Sequence, residues 1–302
     1  MDSHRTILDV ILKSVQAELA EAKRIRSISE LERMIADAPP PKSLAKSLAG
    51  RFGLIAEIKR MSPSGGLMPT KNVEKAPKLY SESAVVFGIS VLTNKTYFGM
   101  SVTDLQNIRQ LTPKPILRKD FIIDEYQVYE ARAFGADAIL LMVNILEPPR
   151  LHMLFNLANE LGMEVLFECH TAEQIRQLPP QAKIIGINTR QFDKPVELYQ
   201  QAQARPPSST SDPTTDLAKL ELGRLLPSHA IKVAESGLHW SSIPAVRKLG
   251  IYNTLLVGTA LLRHPEGIEA ALAAFEKAIH QTSTQIDCDS LWQKYGSLGP
   301  GD

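Results

Sequence analysis

Short apolar runs alternating with helical patterns set the rhythm of this chain. GLIAEIK at 53–59 comes first, followed by AVVFGISVLT at 84–93, PILRKDF at 115–121, DAILLMV at 137–143 and MEVLFEC at 163–169. KIIGIN at 183–188, IKVAES at 231–236 and NTLLVG at 253–258 complete a set of eight. Their β-branched content and bounding turn residues predict buried strands. Between most of them lie helical stretches such as DEYQVYEARAFG at 124–135 and EPPRLHMLFNLANELG at 147–162, each closing on a glycine suited to a helix C-cap. Eight strand–helix alternations in roughly 220 residues have the dimensions of an α/β protein of the (β/α)8, or TIM-barrel, class. A doubly wound open sheet is the main rival. It would carry a GxGxxG loop after its first strand, and SPSGG lacks that spacing.

A preface precedes the first strand. Ile7, Ile11, Val15 and Leu19 recur every four positions, which predicts an amphipathic first helix. The pattern is expected to continue helical through SISELERMIA and to break at Pro39, Pro40 and Pro41, where amide donors are missing. The expected division is a helical extension over 1–50, a catalytic barrel over 51–280 and a tail over 281–302.

Composition narrows the function classes. An apolar content of 44% in 302 residues is enough for a sizeable core. No run reaches the ~18 apolar residues of a membrane span, and the acidic start with Asp2, Asp9 and Glu18 does not read as a targeting peptide. A cytoplasmic protein is expected. A net charge of +1 gives no general pull toward nucleic acid or membranes, so any anion must be caught by a local site. Cys169 and Cys288 are too few and too far apart for a disulfide framework or a metal site.

The chemistry gathers at the carboxyl ends of the predicted strands, where barrels hold their active sites. Strand one ends in Glu57 and Lys59, which alternation places on one face, and leads into Ser62 and Ser64. Strand two leads to Tyr97 and Phe98. Strand three ends in Lys119, Asp120 and Phe121, strand five in Glu168, strand six in Asn188 and Arg190, and strand seven in Glu235. Strand four ends more blandly, in Met142 and Asn144. Glu57 with Lys59 alone could be a structural ion pair. Two lysines, an arginine and three glutamates on one rim point to catalysis, because charges at apolar strand ends cost solvation unless they meet each other or a ligand. Ser236-Gly237 and Gly258-Thr259, after strands seven and eight, place small residues where backbone amides can approach a phosphate.

IAEIKRMSPSGG, SVLTNKTYFGMS, PILRKDFIIDEYQVYEARAFGADAILL, IIGINTRQF, VAESGL and LLVGTALL resemble indole-3-glycerol phosphate synthase, from the N-terminal helix to about residue 263. The resemblance implies a barrel with an N-terminal helical extension that converts 1-(2-carboxyphenylamino)-1-deoxyribulose 5-phosphate to indole-3-glycerol phosphate with loss of carbon dioxide and water. It implies Lys119 as the general acid of ring closure and Glu168 in the acid–base chemistry of dehydration. Lys59 is implied to bind the substrate carboxylate and is also a candidate donor of the dehydration proton, a transfer the resemblance does not assign to one lysine; Glu57, Asn188 and Glu235 are implied to position and balance charge, with Arg190 near the anthranilate end. Phe98 and Phe121 would wall the aromatic ring; Ser62, Ser236, Gly237, Gly258 and Thr259 would hold phosphate. Cationic neighbours or desolvation would help a lysine donate its proton near neutrality. No metal or organic cofactor is implied, and the expected partner is a phosphorylated small molecule, bound by a monomer or weak homo-oligomer.

His170 is expected to orient a loop rather than catalyse, and Asp120 to cap a helix or pair with a rim lysine. DKPVELYQQAQARPPSSTSDPTTDLAKL is longer than the family pattern, and its RPPSSTSDP part reads as a surface insertion in preference to a lid. Trp292 and Tyr295 lie in the extended tail. Two other readings carry discriminators. Phosphoribosylanthranilate isomerase would need a cysteine base at the end of strand one, where this chain has Glu57 and Lys59. A retired barrel serving as a binding or regulatory module would have lost Lys59, Lys119 or Glu168.

Overall fold

All eight predicted runs become parallel strands of one closed barrel in a computed structural model that describes residues 5–204 and 212–281. They are β1 (Gly53–Ile58), β2 (Val86–Leu92), β3 (Ile116–Lys119), β4 (Ala138–Met142), β5 (Glu164–Cys169), β6 (Ile184–Asn188), β7 (Ile231–Glu235) and β8 (Thr254–Val257). Each strand pairs with its neighbours in sequence, and β1 closes the ring on β8 through the register Gly53↔Thr254 to Ala56↔Val257. Alternate residues split into two cores. Ile55, Leu117, Leu140, Leu166, Ile184, Val233 and Leu256 fill the barrel, while Leu54, Ile58, Ile89, Ile139, Phe167 and Leu255 belong to the layer packed under the surrounding helices. The same parity, carried one step further along each strand, delivers the charged rim.

The preface grips both ends of the barrel. Its first helix, α1 (Ile7–Ile25), starts at a capping box of Thr6 and Asp9 and buries Ile7, Ile11 and Val15. Glu18 on α1 accepts from Lys95 N (3.1 Å), Thr96 N (3.0 Å) and Thr96 Oγ1 (2.7 Å), fastening the loop after β2 that carries Phe98. Contrary to the expected continuation, the helix stops at Ile25. Ser27 and Glu30 form a second capping box that satisfies the amides of a new helix, α2 (Ile28–Ala36). After the prolines, α3 (Leu44–Leu48) seats Leu44 and Leu48 in the barrel core. Glu164, at the start of β5, accepts from Ser43 Oγ and Ala45 N, both at 2.7 Å, so α3 plugs the amino-terminal mouth. The tail containing Trp292 and Tyr295 lies outside the described residues. Among the described residues, no helix is long and apolar enough to cross a membrane.

Candidate active site

The polar carboxyl-terminal rim is built by the next inward-facing residues of β1, β3, β5, β6 and β7, of which Glu57, Lys59, Glu168, Asn188 and Glu235 are buried and Lys119 is largely covered. Glu57 and Lys59, from the end of β1, form an ion pair at 2.5 Å. Lys119, from β3, reaches across the barrel to Glu168 on β5, with Nζ–Oε2 at 3.1 Å, and to Glu235 on β7, with Nζ–Oε2 at 3.5 Å. His170 Nε2 lies 3.2 Å from Glu168 Oε1, so the histidine touches a candidate catalytic group directly as well as bracing the loop through its amide, which donates to Gln174. Asn188 is buried, and its Oδ1 accepts from Arg190 N at 2.8 Å.

Two glycines, one inside β6 and one just after β8, make this clustering possible. A Cβ on Gly186 would collide with the Glu235 carboxylate of the adjacent strand, and a Cβ on Gly258 would collide with Glu57. An isolated glycine inside an apolar strand such as KIIGIN is the sequence signal for such an approach, and it was open to being read at Gly186.

Electrostatics separates the carboxylates. Burial acts most strongly on Glu168 and would raise it, but Lys119, His170 and Asn188 together outweigh burial and hold it well below the usual carboxylate range. Burial likewise opposes the charge on Glu57, and Lys59 and Lys119 overrule it in the same direction. Glu235 goes the other way. Burial dominates, the neighbouring Glu168 charge adds to it, and Lys119 does not compensate, so Glu235 is pushed well above the carboxylate range. Neither of its oxygens has a hydrogen-bond partner among the described residues. Lys119 sits among three carboxylates, which overcome burial and raise it above the ordinary lysine range. That corrects the expectation of cationic neighbours or desolvation easing proton release: the surroundings hold the proton on Lys119.

The elevated Glu235 has a stability consequence. A carboxyl whose folded-state pKa exceeds its unfolded one binds more protons when folded, so stability falls as pH rises from the ordinary carboxylate range toward the folded value. Glu235→Gln removes that titration. The variant should melt a few degrees above wild type at pH 8, with the gap narrowing by pH 5. Thermal melts across that range measure it, and a gap that does not change with pH would defeat the argument.

Next to the charges lies an apolar recess. Phe98 and Phe121 stack with centroids 6.3 Å apart, and Phe192 meets Phe121 edge-on at 6.2 Å and His170 at 5.7 Å. Phe192 was not singled out from the sequence, although it ends the quoted IIGINTRQF two residues after Arg190. On the other side, Lys59, Lys119 and Arg190 border a cavity of about 480 Å³ that continues past Gly65, Ser236, Gly237, Gly258 and Thr259 to Trp240 and Arg263. Ser236 and Gly237 both adopt left-handed backbone, φ 68° and 64°. For serine this costs roughly 1–2 kcal/mol, and strain of this kind collects at ligand sites. Ser62 borders the aromatic recess, and its Oγ accepts from Gly65 N at 3.0 Å, while Ser64 and Gly65 face the larger cavity. Asp120 is neither a helix cap nor a partner of a rim lysine. It pairs with Arg118 at 3.0 Å and accepts from Thr93 Oγ1 at 2.6 Å, since its side chain emerges on the opposite face of β3 from Lys119.

An eight-stranded parallel barrel with acids and lysines gathered on one rim, between an aromatic recess and a cavity lined by small residues, has the architecture of a TIM-barrel enzyme. The chain belongs to the indole-3-glycerol phosphate synthase family: that family's model matches residues 8–207. Relatives named indole-3-glycerol phosphate synthase include one from Lachnospira eligens, 38% identical over 265 residues and covering 86% of this chain and 93% of its own length. Others come from Mycobacterium avium, 35% identical with 86% and 90% covered, and Bacteroides thetaiotaomicron, 33% identical with 91% and 99% covered. Among solved structures, the tryptophan synthase alpha subunit of Legionella pneumophila matches with TM-score 0.51 and 14% identity, covering 78% of this chain and 97% of that one, a likeness of fold.

Proposed function

We propose that this rim closes an indole ring. The chain is an indole-3-glycerol phosphate synthase, a carboxy-lyase of tryptophan biosynthesis acting on 1-(2-carboxyphenylamino)-1-deoxyribulose 5-phosphate. The observation that carries the assignment of roles is the place of Lys119, which borders both the aromatic recess and the larger cavity. A substrate with its anthranilate ring against Phe98, Phe121 and Phe192, and its phosphate toward Ser236, Gly237, Gly258 and Thr259, lays its ketone beside the Lys119 ammonium. Lys59 and Arg190 then meet the ring carboxylate.

Attack by the carboxylate-bearing ring carbon pushes the carbonyl electrons onto the ketone oxygen. The alkoxide forming there is a stronger base than a lysine amine, so the Lys119 proton transfers as the carbon–carbon bond forms even though its neighbours hold that proton tightly. Carbon dioxide departs and leaves its bonding pair with the ring, which restores the ring's aromaticity. The remaining hydroxyl leaves as water, with an acid protonating the leaving oxygen while Glu168, kept ionised, removes a proton from the substrate. Glu57, Asn188 and Glu235 position these groups and balance their charge. Ser62 retains a hydroxyl proton to donate toward the phosphate end. A cytoplasmic setting and a monomer or weak homo-oligomer complete the proposal.

Lys59, Lys119 and Glu168 lie in one buried site, which argues against a retired barrel. The deciding experiment is continuous fluorescence detection of indole-3-glycerol phosphate with the purified chain. Turnover is expected; tight substrate binding without product would instead favour the retired module.

A further inference from the structure

The segment returning from the long β6–β7 connection is stitched onto the rim. Gln191 N donates to Thr214 O and Asp216 N to Thr189 O, both at 2.8 Å, and Arg190 forms an antiparallel bridge with Thr215. The preceding residues 205–211, which contain most of the expected surface insertion, lie outside the described chain. Asp212 is fixed within this return. Its Oδ1 accepts from Thr214 N at 2.9 Å and from Thr214 Oγ1 at 2.5 Å. Its Oδ2 faces Arg190 Nη1 at 3.1 Å and accepts from Ser64 Oγ at 3.3 Å. Arg190 Nη1 also donates to Ser64 Oγ at 2.8 Å and to Thr214 Oγ1.

The loop after β1 and the return of the β6–β7 connection therefore converge on one guanidinium nitrogen, and Asp212 supplies the opposing charge. Arg190 and Asp212 both border the larger cavity. A free arginine carries rotamer entropy, which a ligand must overcome when it orders the side chain. An aspartate already held by its own turn is a rigid partner. It orders the guanidinium before the ligand arrives.

We propose that Asp212 is a positioning residue for the ring-closure reaction: it clamps Arg190 against the β1 loop, so that Arg190 presents one fixed orientation to the carboxylate of the substrate. This rests on the reading of Arg190 as a contact to the anthranilate end. The role differs from that of a loop anchor because it acts on binding of a carboxylated ligand and only through Arg190.

Steady-state kinetics of Asp212→Ala should show KM raised roughly tenfold, with kcat within about twofold of wild type. Asp212→Asn keeps one acceptor for Thr214 and loses the charge, so it should fall between the two; it carries the test should the alanine variant fail to fold. Affinity for the product, which has lost the carboxylate, should be unchanged in either variant. The double variant Arg190→Ala/Asp212→Ala should be no worse than Arg190→Ala alone, since Asp212 then has nothing to orient. Unchanged KM in the single variants, equal weakening of product binding, or additive losses in the double variant would overturn the proposal. Inactivity of the wild-type chain would instead overturn the functional reading beneath it.

Discussion

Replacing Lys119 by alanine should lower kcat by about 10³-fold, within the range by which a positioned acid accelerates proton transfer, and leave KM within a few-fold of wild type. Among the described residues, Lys119 is the only lysine or arginine with a charged nitrogen within 4 Å of Glu168 or Glu235, so no such neighbour can replace it without rearrangement. Because ring closure precedes loss of the carboxyl group, release of carbon dioxide and formation of the indole product should fall together. Trapped labelled carbon dioxide and product fluorescence, followed in one reaction, measure both. Full turnover in this variant would remove Lys119 from its role. The same change strips Glu168 of the charge that holds its pKa down against burial, so the variant should be least stable at high pH, where the uncompensated buried carboxylate is ionised, and should regain stability as pH falls and that carboxylate takes up a proton.

Glu168→Gln should separate the two halves of the reaction. Glutamine can still accept from Lys119 and keeps the shape of the site, but it cannot take a proton. The expected loss in overall turnover is roughly 10²–10³-fold, with ring closure and decarboxylation much less affected. In a single turnover, carbon dioxide should therefore appear ahead of indole fluorescence, and the undehydrated intermediate should accumulate. Parallel slowing of both signals would place Glu168 in ring closure instead of dehydration.

The strands and the charged rim were legible because one rule, alternation along a strand, governs both. The parity that sends Ile55 and Leu117 into the barrel also aims Glu57 and Lys119 at its open end. Asp120 shows the same rule from the other side: one residue beyond Lys119, it had to face Arg118 and the helical layer. The state of Glu235 was not legible, because it arises from the distance between β3, β5 and β7, and separations across a closed barrel leave no local trace. Nor was Asp212. It lies in a Ser-, Thr- and Pro-rich stretch whose composition predicts only irregular backbone, and its importance comes from backbone pairing with residues 189–191. The break between α1 and α2 was legible in principle from Ser27 and Glu30, since a capping box competes with continuation of a helix.

The helices before the barrel also bear on how the chain is made. Ser43 and Ala45 find their acceptor on Glu164, 121 and 119 positions later, and Thr6 pairs with Pro195. At a synthesis rate of roughly 5–20 residues per second, α3 waits on the order of ten seconds after leaving the ribosome for the strand that holds it. The amino-terminal end of α1, where Thr6 pairs with Pro195 and Ile7 N with Lys194 O, waits longer. Loops of that length must close before the contacts reward them. The order of synthesis, and not only the strength of the final contacts, sets how long these amino-terminal segments are available to chaperones and to other nascent chains.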